Sequence, residues 1–283
     1  MIFSQLNATI NLYFVKTELI RRVYMKRFLI RSLAIVLSVL VSFSSVSLFS
    51  IRGEAASVSG VCGDELSWTF NDETGALTIT GTGAMDVYPA TQLPWKDILQ
   101  TIKSVDIGSG VTEICDYAFY GCESLKSVSI PESVSKIGTF AFSQCLSLEG
   151  INVDGTNPNY ESDENGVLFT EGKTELIQYP ANNAATAYSV PDSVKVICDD
   201  AFRHSENLAE ISLPEGLEKI GDEAFYASGI KTVTLPSSVS SIGKDAFGWC
   251  FSLESIFVDD GNSNYSNDEN GVLFTKYKTE LIK

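Results

Sequence analysis

A β-rich solenoid of short parallel strands, stacked in coils of about 23 residues behind an N-terminal hairpin, is predicted by three observations. An eight-residue phrase recurs: AFYGCESL from Ala118, AFSQCLSL from Ala141, AFRHSENL from Ala201 and AFGWCFSL from Ala246, with a shorter copy, AFYASGI, from Ala224. An L-x-x-L-x-L apolar pattern starts at Ile102, Leu125, Leu148, Ala185, Leu208, Ile230 and Leu253, at spacings of 23, 23, 37, 23, 22 and 23 residues. A second apolar column, Val111/Ile114, Val134/Ile137, Val194/Ile197, Leu217/Ile220 and Val239/Ile242, keeps the same phase. Units of this period cannot bury an apolar face alone, so stacked coils are expected to share one continuous core.

The first 56 residues are read as targeting sequence. Lys26, Arg27 and Arg31 precede an apolar run from Leu33 to Phe49, and Gly53, Ala55 and Ala56 then offer small residues for cleavage. Residues 25–56 are therefore expected to be a signal peptide, with Met25 the natural start and residues 1–24 a misassigned upstream extension. No permanent membrane span is expected after cleavage.

Residues 57–101 read as a cap. Leu66, Trp68 and Phe70 alternate with Ser67 and Thr69, Gly75 turns the chain, and Leu77 and Ile79 alternate with Thr78 and Thr80. That is the pattern of a half-buried hairpin whose apolar face can close the first coil. Gly81-Thr82-Gly83 lacks the third glycine and following helix that a phosphate loop needs.

The repeats occupy residues 102–283. Phe119, Phe142, Phe202, Phe225 and Phe247 recur at one position of the phrase and are expected to form a buried spine. Taken together, the string V-x-x-I-(G/C)-x-x-A-F-x-x-C-x-x-L-x-x-(V/I)-x-(I/L)-P resembles the BspA-like, or Treponema-type, bacterial leucine-rich repeats. It runs from Gly60 to Lys283, and Cys62-Gly63, Gly81 to Met85 and Pro94-Trp95 resemble that family's leading segment. The resemblance implies an exported surface protein of the adhesin or host-interaction type, with a leucine-rich-repeat solenoid of the α/β-type repeat class.

The 37-residue spacing marks a longer coil that has a second copy. Asp163 to Thr170 returns 105 residues later as Asp268 to Thr275, and both continue into Lys-Thr-Glu-Leu-Ile. Its Asn-Gly pair is a turn signal, so a small β-meander bulging from the solenoid is expected. The clustered acids lack the oxygen-ligand spacing of a calcium loop. The second long coil stops at Lys283, which reads as a truncation within a coil.

Residues 1–56 hold seven Lys or Arg and two Asp or Glu, so the remainder carries 13 basic against 34 acidic residues, a formal charge of −21. Such a surface repels nucleic acid and anionic lipid. Cys122, Cys145 and Cys250 share a column with Ser205 and Ser228, so free thiols are expected there. No Cys or His spacing suggests zinc, and no cofactor is expected. Catalytic constellations are absent: His204, the only histidine, stands at a variable position expected to be exposed. Asp199-Asp200 and Asp222-Glu223 precede Ala-Phe, where carboxylates would favour a short helical N-terminus.

Recognition then falls to the outward side chains of the strands: Ser104, Asp106, Ser127, Ser129, Asn152, Ser189, Glu210, Ser212, Thr232, Thr234, Ser255 and Phe257. These make a candidate face for an extracellular or cell-surface protein partner of a secreted or surface-located chain. The other reading is a structural spacer that presents a further C-terminal domain, an enzyme or a wall-binding module. Polysaccharide binding is disfavoured because the face lacks an aromatic platform. Exposed Trp249, Phe251 and Phe257 lie near the C-terminal coils, and no cluster of large apolar residues is expected on the face.

Overall fold

The computed structural model describes residues 57–276 and 281–282, within a unit that runs from Glu54 to Lys283. The signal-peptide and start-site expectations lie outside the described residues. Seven strands occupy the L-x-x-L-x-L positions, from Ser104–Ile107 to Ser255–Val258, and the inward residues Val105, Val128, Ile151, Tyr188, Val233 and Ile256 are buried. The repeat solenoid is thus present with its expected register. Among the described residues helix is limited to three short 3-10 turns, Ala90–Gln92, Lys96–Thr101 and Glu171–Lys173.

The cap is one strand longer than the expected hairpin. Ser57–Gly63, Leu66–Asn71 and Ala76–Gly81 form an antiparallel meander, with Leu66, Trp68 and Phe70 inward. It closes the repeats through its edge, because Ala76–Gly81 pairs in parallel with Ser104–Ile107, Ala76 opposite Ser104 and Ile79 opposite Ile107. Strand pairing satisfies the edge N–H and C=O groups that a lid of side chains would leave exposed. Trp95 adds a second tie: its Nε1 donates to Ala118 O at 2.8 Å and its ring stacks on Phe119 at 5.6 Å.

The Ala-Phe phrase carries its own ladder between coils. Phe119 N–H donates to Ala141 O, Phe202 N–H to Ala224 O and Phe225 N–H to Ala246 O, at 2.7–2.9 Å. The rings follow the same rise: Phe119–Phe142 at 5.7 Å, Phe202–Phe225 at 4.9 Å and Phe225–Phe247 at 5.3 Å, all stacked.

No helix starts at the phrase, contrary to the expectation from the acidic pairs. Tyr117, Phe140, Asp200, Glu223 and Asp245 hold φ between 51° and 58°, a left-handed conformation from which a right-handed helix cannot begin. The carboxylates serve a different purpose. Asp116 Oδ1 accepts the Thr139 N–H at 2.8 Å, Asp199 Oδ1 the Asp222 N–H at 2.9 Å, and Asp222 Oδ1 the Lys244 N–H at 2.7 Å. Each acid therefore caps the next coil's turn and forms a rung between coils. Coils approach so closely here that a β-carbon on Gly138 or Gly221 would collide with the backbone of the coil before it.

The single continuous core also needs correction. Buried residues form two clusters, one from the cap through Val153 and one from Tyr179 to the last coil, with the long coil between them. Its strands Tyr160–Ser162, Leu168–Thr170 and Glu175–Gln178 pair antiparallel with one another, and the first block's parallel stack stops at Gly150–Val153. Leu168 joins the first cluster while its neighbours Val167 and Phe169 join the second. The meander does not bulge free, because Glu175–Gln178 pairs in parallel with Val196–Ile197 and starts the second set of return strands. Tyr179 then takes the phrase's aromatic position: its N–H donates to Ala201 O and its ring stacks on Phe202 at 5.0 Å.

All six cysteines are thiols, as expected for the Cys/Ser column. Cys145 Sγ donates to Phe119 O at 3.2 Å, Cys250 Sγ to Phe225 O at 2.9 Å and Ser205 Oγ to Phe202 O at 2.6 Å. A small donor satisfies the column, whichever atom carries the hydrogen. Burial pushes the thiols of Cys62, Cys122 and Cys198 up to about 12 and that of Cys115 to about 11. Folded protein should leave a thiol reagent unreacted near neutral pH and react only when denaturant is added, as colorimetric titration would show. The unfolded chain ionises near the ordinary value of 9.0, below the folded value. Stability from these thiols is therefore full below that pH and is lost as pH rises toward the folded values.

Candidate functional site

The expected face exists, but in two parts. Ser127, Gly150 and their row belong to the sheet that ends at Gly150–Val153, whereas Ala187, Glu210, Thr232 and Ser255 belong to a sheet that starts at Ala187–Ser189. Asp106, Ser127, Ser129, Asn152, Ser189, Glu210, Ser212, Thr232, Thr234 and Phe257 are exposed, and Ser104 and Ser255 are half-buried. Parallel registry places Ser127 beside Ser104, Ser129 beside Asp106, and Thr234 beside Phe257. The rows are thus fixed arrays of small polar groups on a packed core.

The long coil interrupts those rows by docking on the last strand before it. Ile151 N–H donates to Gly166 O at 2.9 Å and Val153 N–H to Ser162 Oγ at 3.1 Å. The second copy repeats the device at Ile256, donating to Gly271 O, and at Val258, donating to Asn267 Oδ1. On the return side, Ile137 N–H donates to the Tyr160 hydroxyl at 3.0 Å and Ile242 N–H to the Tyr265 hydroxyl at 2.9 Å. Where the face parts, an open cleft of about 820 Å³ remains, bordered by Ser129, Gly150, Asn152, Asn165, Asn182 and Asn207.

A second surface lies along the phrase edge. The Arg203 guanidinium sits 4.2 Å from the Tyr226 ring centre, Tyr226 stacks on Trp249 at 6.1 Å, and Trp249 meets Phe251 edge-on at 5.7 Å. Trp249 and Phe251 are exposed here, while Phe257 stands on the sheet face, so the three aromatics do not form one cluster. His204 is half-buried against Tyr226 and not fully exposed as expected. Burial, then the neighbouring Arg203 charge, holds its imidazole below the ordinary value. Among the described residues no group of His, Cys, Asp and Glu could hold a metal ion.

Six copies of the BspA type leucine rich repeat match this chain over residues 98–168 and 178–269. The chain belongs to the BspA-type leucine-rich-repeat family. The gap between the two matched blocks falls across the last two strands of the first long coil, Leu168–Thr170 and Glu175–Gln178. No curated protein matches the chain. Among solved structures it is similar to a leucine-rich repeat protein of Eubacterium ventriosum, at 24% identity over 72% of each chain with a TM-score of 0.40. A leucine rich cell surface protein of Faecalibacterium prausnitzii matches at 18% identity over 82% of this chain, with a TM-score of 0.45. The match spans 62% of that protein, less than two thirds of its length. The T. pallidum leucine rich repeat protein matches at 25% identity, over 67% of this chain and 66% of its own, with a TM-score of 0.29. As in the family, the described residues form repeats, and none of their helices is long and apolar enough to cross a membrane.

Proposed function

We propose that this BspA-type chain is an exported, non-enzymatic module that binds an extracellular or cell-surface protein through the strand face of its repeats. Export would follow from cleavage of residues 25–56 as a signal peptide. The observation that carries the reading is the in-register array of exposed side chains on the parallel repeat strands of the two sheets. Contacts from successive coils can act together on one partner while the core stays rigid, so little ordering is needed on binding. The excess of acidic over basic residues selects for neutral or cationic surfaces.

The test replaces Ser127, Glu210 and Thr232 together with arginine, leaving every inward residue unchanged. Binding to immobilised matrix and cell-surface proteins should fall by at least about tenfold, because three long cations break the complementarity of both sheets at once. Full affinity in a folded triple variant would remove recognition from the face. Binding by neither form would favour the spacer reading.

A further inference from the structure

We infer that the cleft at the parting of the two sheets is a binding site for an extended peptide segment, gripped by side-chain amides. It deepens the face reading above and rests on it. The cleft walls are built before any ligand arrives. Asp163 Oδ1 accepts the N–H groups of Asn165 and Val167 at 2.9 and 3.0 Å, and its Oδ2 accepts the Tyr188 hydroxyl at 2.7 Å. Asn183 Nδ2 donates to Asn165 O at 2.7 Å, and Asn207 Nδ2 donates to Asn183 O at 3.0 Å. Asn182 N–H donates to Leu148 O at 2.8 Å, which ties the far wall to the first block.

Within these fixed walls three amides have nothing to do structurally. The side chains of Asn152, Asn165 and Asn182 line the cleft without a hydrogen bond among the described residues, and Asn152 and Asn182 are exposed. A primary amide carries both an N–H donor and a C=O acceptor, the two kinds of group that a peptide unit presents, so a row of them can pair with the alternating N–H and C=O groups of an extended chain. Other ligand classes fit worse. The one basic side chain in the lining, Lys126, is paired with Glu149 at 2.9 Å, and Glu164 is exposed, so an anion would meet surplus negative charge. No aromatic ring lines the cleft for a sugar to stack on, and a hydrocarbon would bury the amides unpaired.

The internal duplication shows that Asn152 is not required by the fold. Its counterpart 105 residues on is Phe257, whereas Asp163, Asn165 and Gly166 return unchanged as Asp268, Asn270 and Gly271. Asn152→Phe therefore copies a side chain that this architecture already carries at the same position.

The experiment selects random linear peptides on the full chain, measures their affinity for it and for the Asn152→Phe/Asn182→Ala variant, and maps bound peptide by hydrogen exchange. Selected peptides are expected to protect residues 148–153, 162–167 and 182–185, and to bind the variant at least about tenfold more weakly, for the hydrogen bonds lost. The variant's unfolding midpoint should match the parent's. Equal affinity, or protection confined to residues 210–258, overturns the cleft while leaving the face reading intact. Protection away from both faces, or failure to select any peptide, overturns the proposal as well.

Discussion

Alanine at Phe202 is expected to lower stability by about 3–5 kcal/mol in a urea titration, the cost of removing a buried ring that its neighbours cannot follow. Phe202 is fully buried, with Tyr179 stacked at 5.0 Å on one side and Phe225 at 4.9 Å on the other. Collapse of the cavity would require two coils to approach, which their backbone ladder prevents. Because the buried residues form two clusters, the loss should appear first as faster hydrogen exchange in residues 179–258. Cys145→Ser is the matched control: its hydroxyl can still reach Phe119 O, and the change should cost no more than about 1–2 kcal/mol. Equal losses in the two variants would show that the ring column is not what holds the coils.

Leucine at Asn157 is the second large effect, about 2–4 kcal/mol, from polar groups left buried without partners. Asn157 Nδ2 donates to Pro131 O at 2.7 Å and Val134 O at 3.0 Å, while its Oδ1 accepts the N–H groups of Asn159 and Tyr160 at 2.8 and 3.0 Å. One side chain thus ties the turn after one strand to the start of the long coil. Asn262 makes the same four bonds to Pro236, Val239, Asn264 and Tyr265. Leucine keeps the branched shape but puts larger methyl groups where the amide atoms stand 2.7–3.0 Å from their partners, so the expected loss combines the four hydrogen bonds with crowding, and denaturation curves of the single and double variants would measure it. A neutral result at Asn157 would mean that water replaces the amide.

Repetition made the strands, the phenylalanine spine and the Cys/Ser column legible, since each depends on a residue type returning at a fixed interval. Features that occur once were hidden. Trp95 and Tyr179 complete the two aromatic stacks without an Ala-Phe phrase to announce them. The left-handed turns were missed because Tyr117, Phe140 and Asp245 are ordinary L residues whose conformation is imposed by the ladder between coils. The break in the face was concealed in one number, the 37-residue spacing, whose consequence depends on the antiparallel direction of the inserted strands. Asn157 and Tyr160 did leave a signal: both recur 105 residues on, at Asn262 and Tyr265, just ahead of the repeated Asp163 segment. Cleft residues Asn182 and Asn183 lie outside the repeated phrase, and Asn207 stands where its other full-length copies carry serine, so only the folded chain brings the three together.

Recognition by the strand face is the central claim, and site-specific photocrosslinking tests it most directly. A benzophenone side chain placed at Ser212, on the face, is expected to capture the bound surface protein covalently. The same group at Lys219, exposed on the return strand Lys219–Ile220, should capture none. An adduct formed from Lys219 and not from Ser212 would contradict the account.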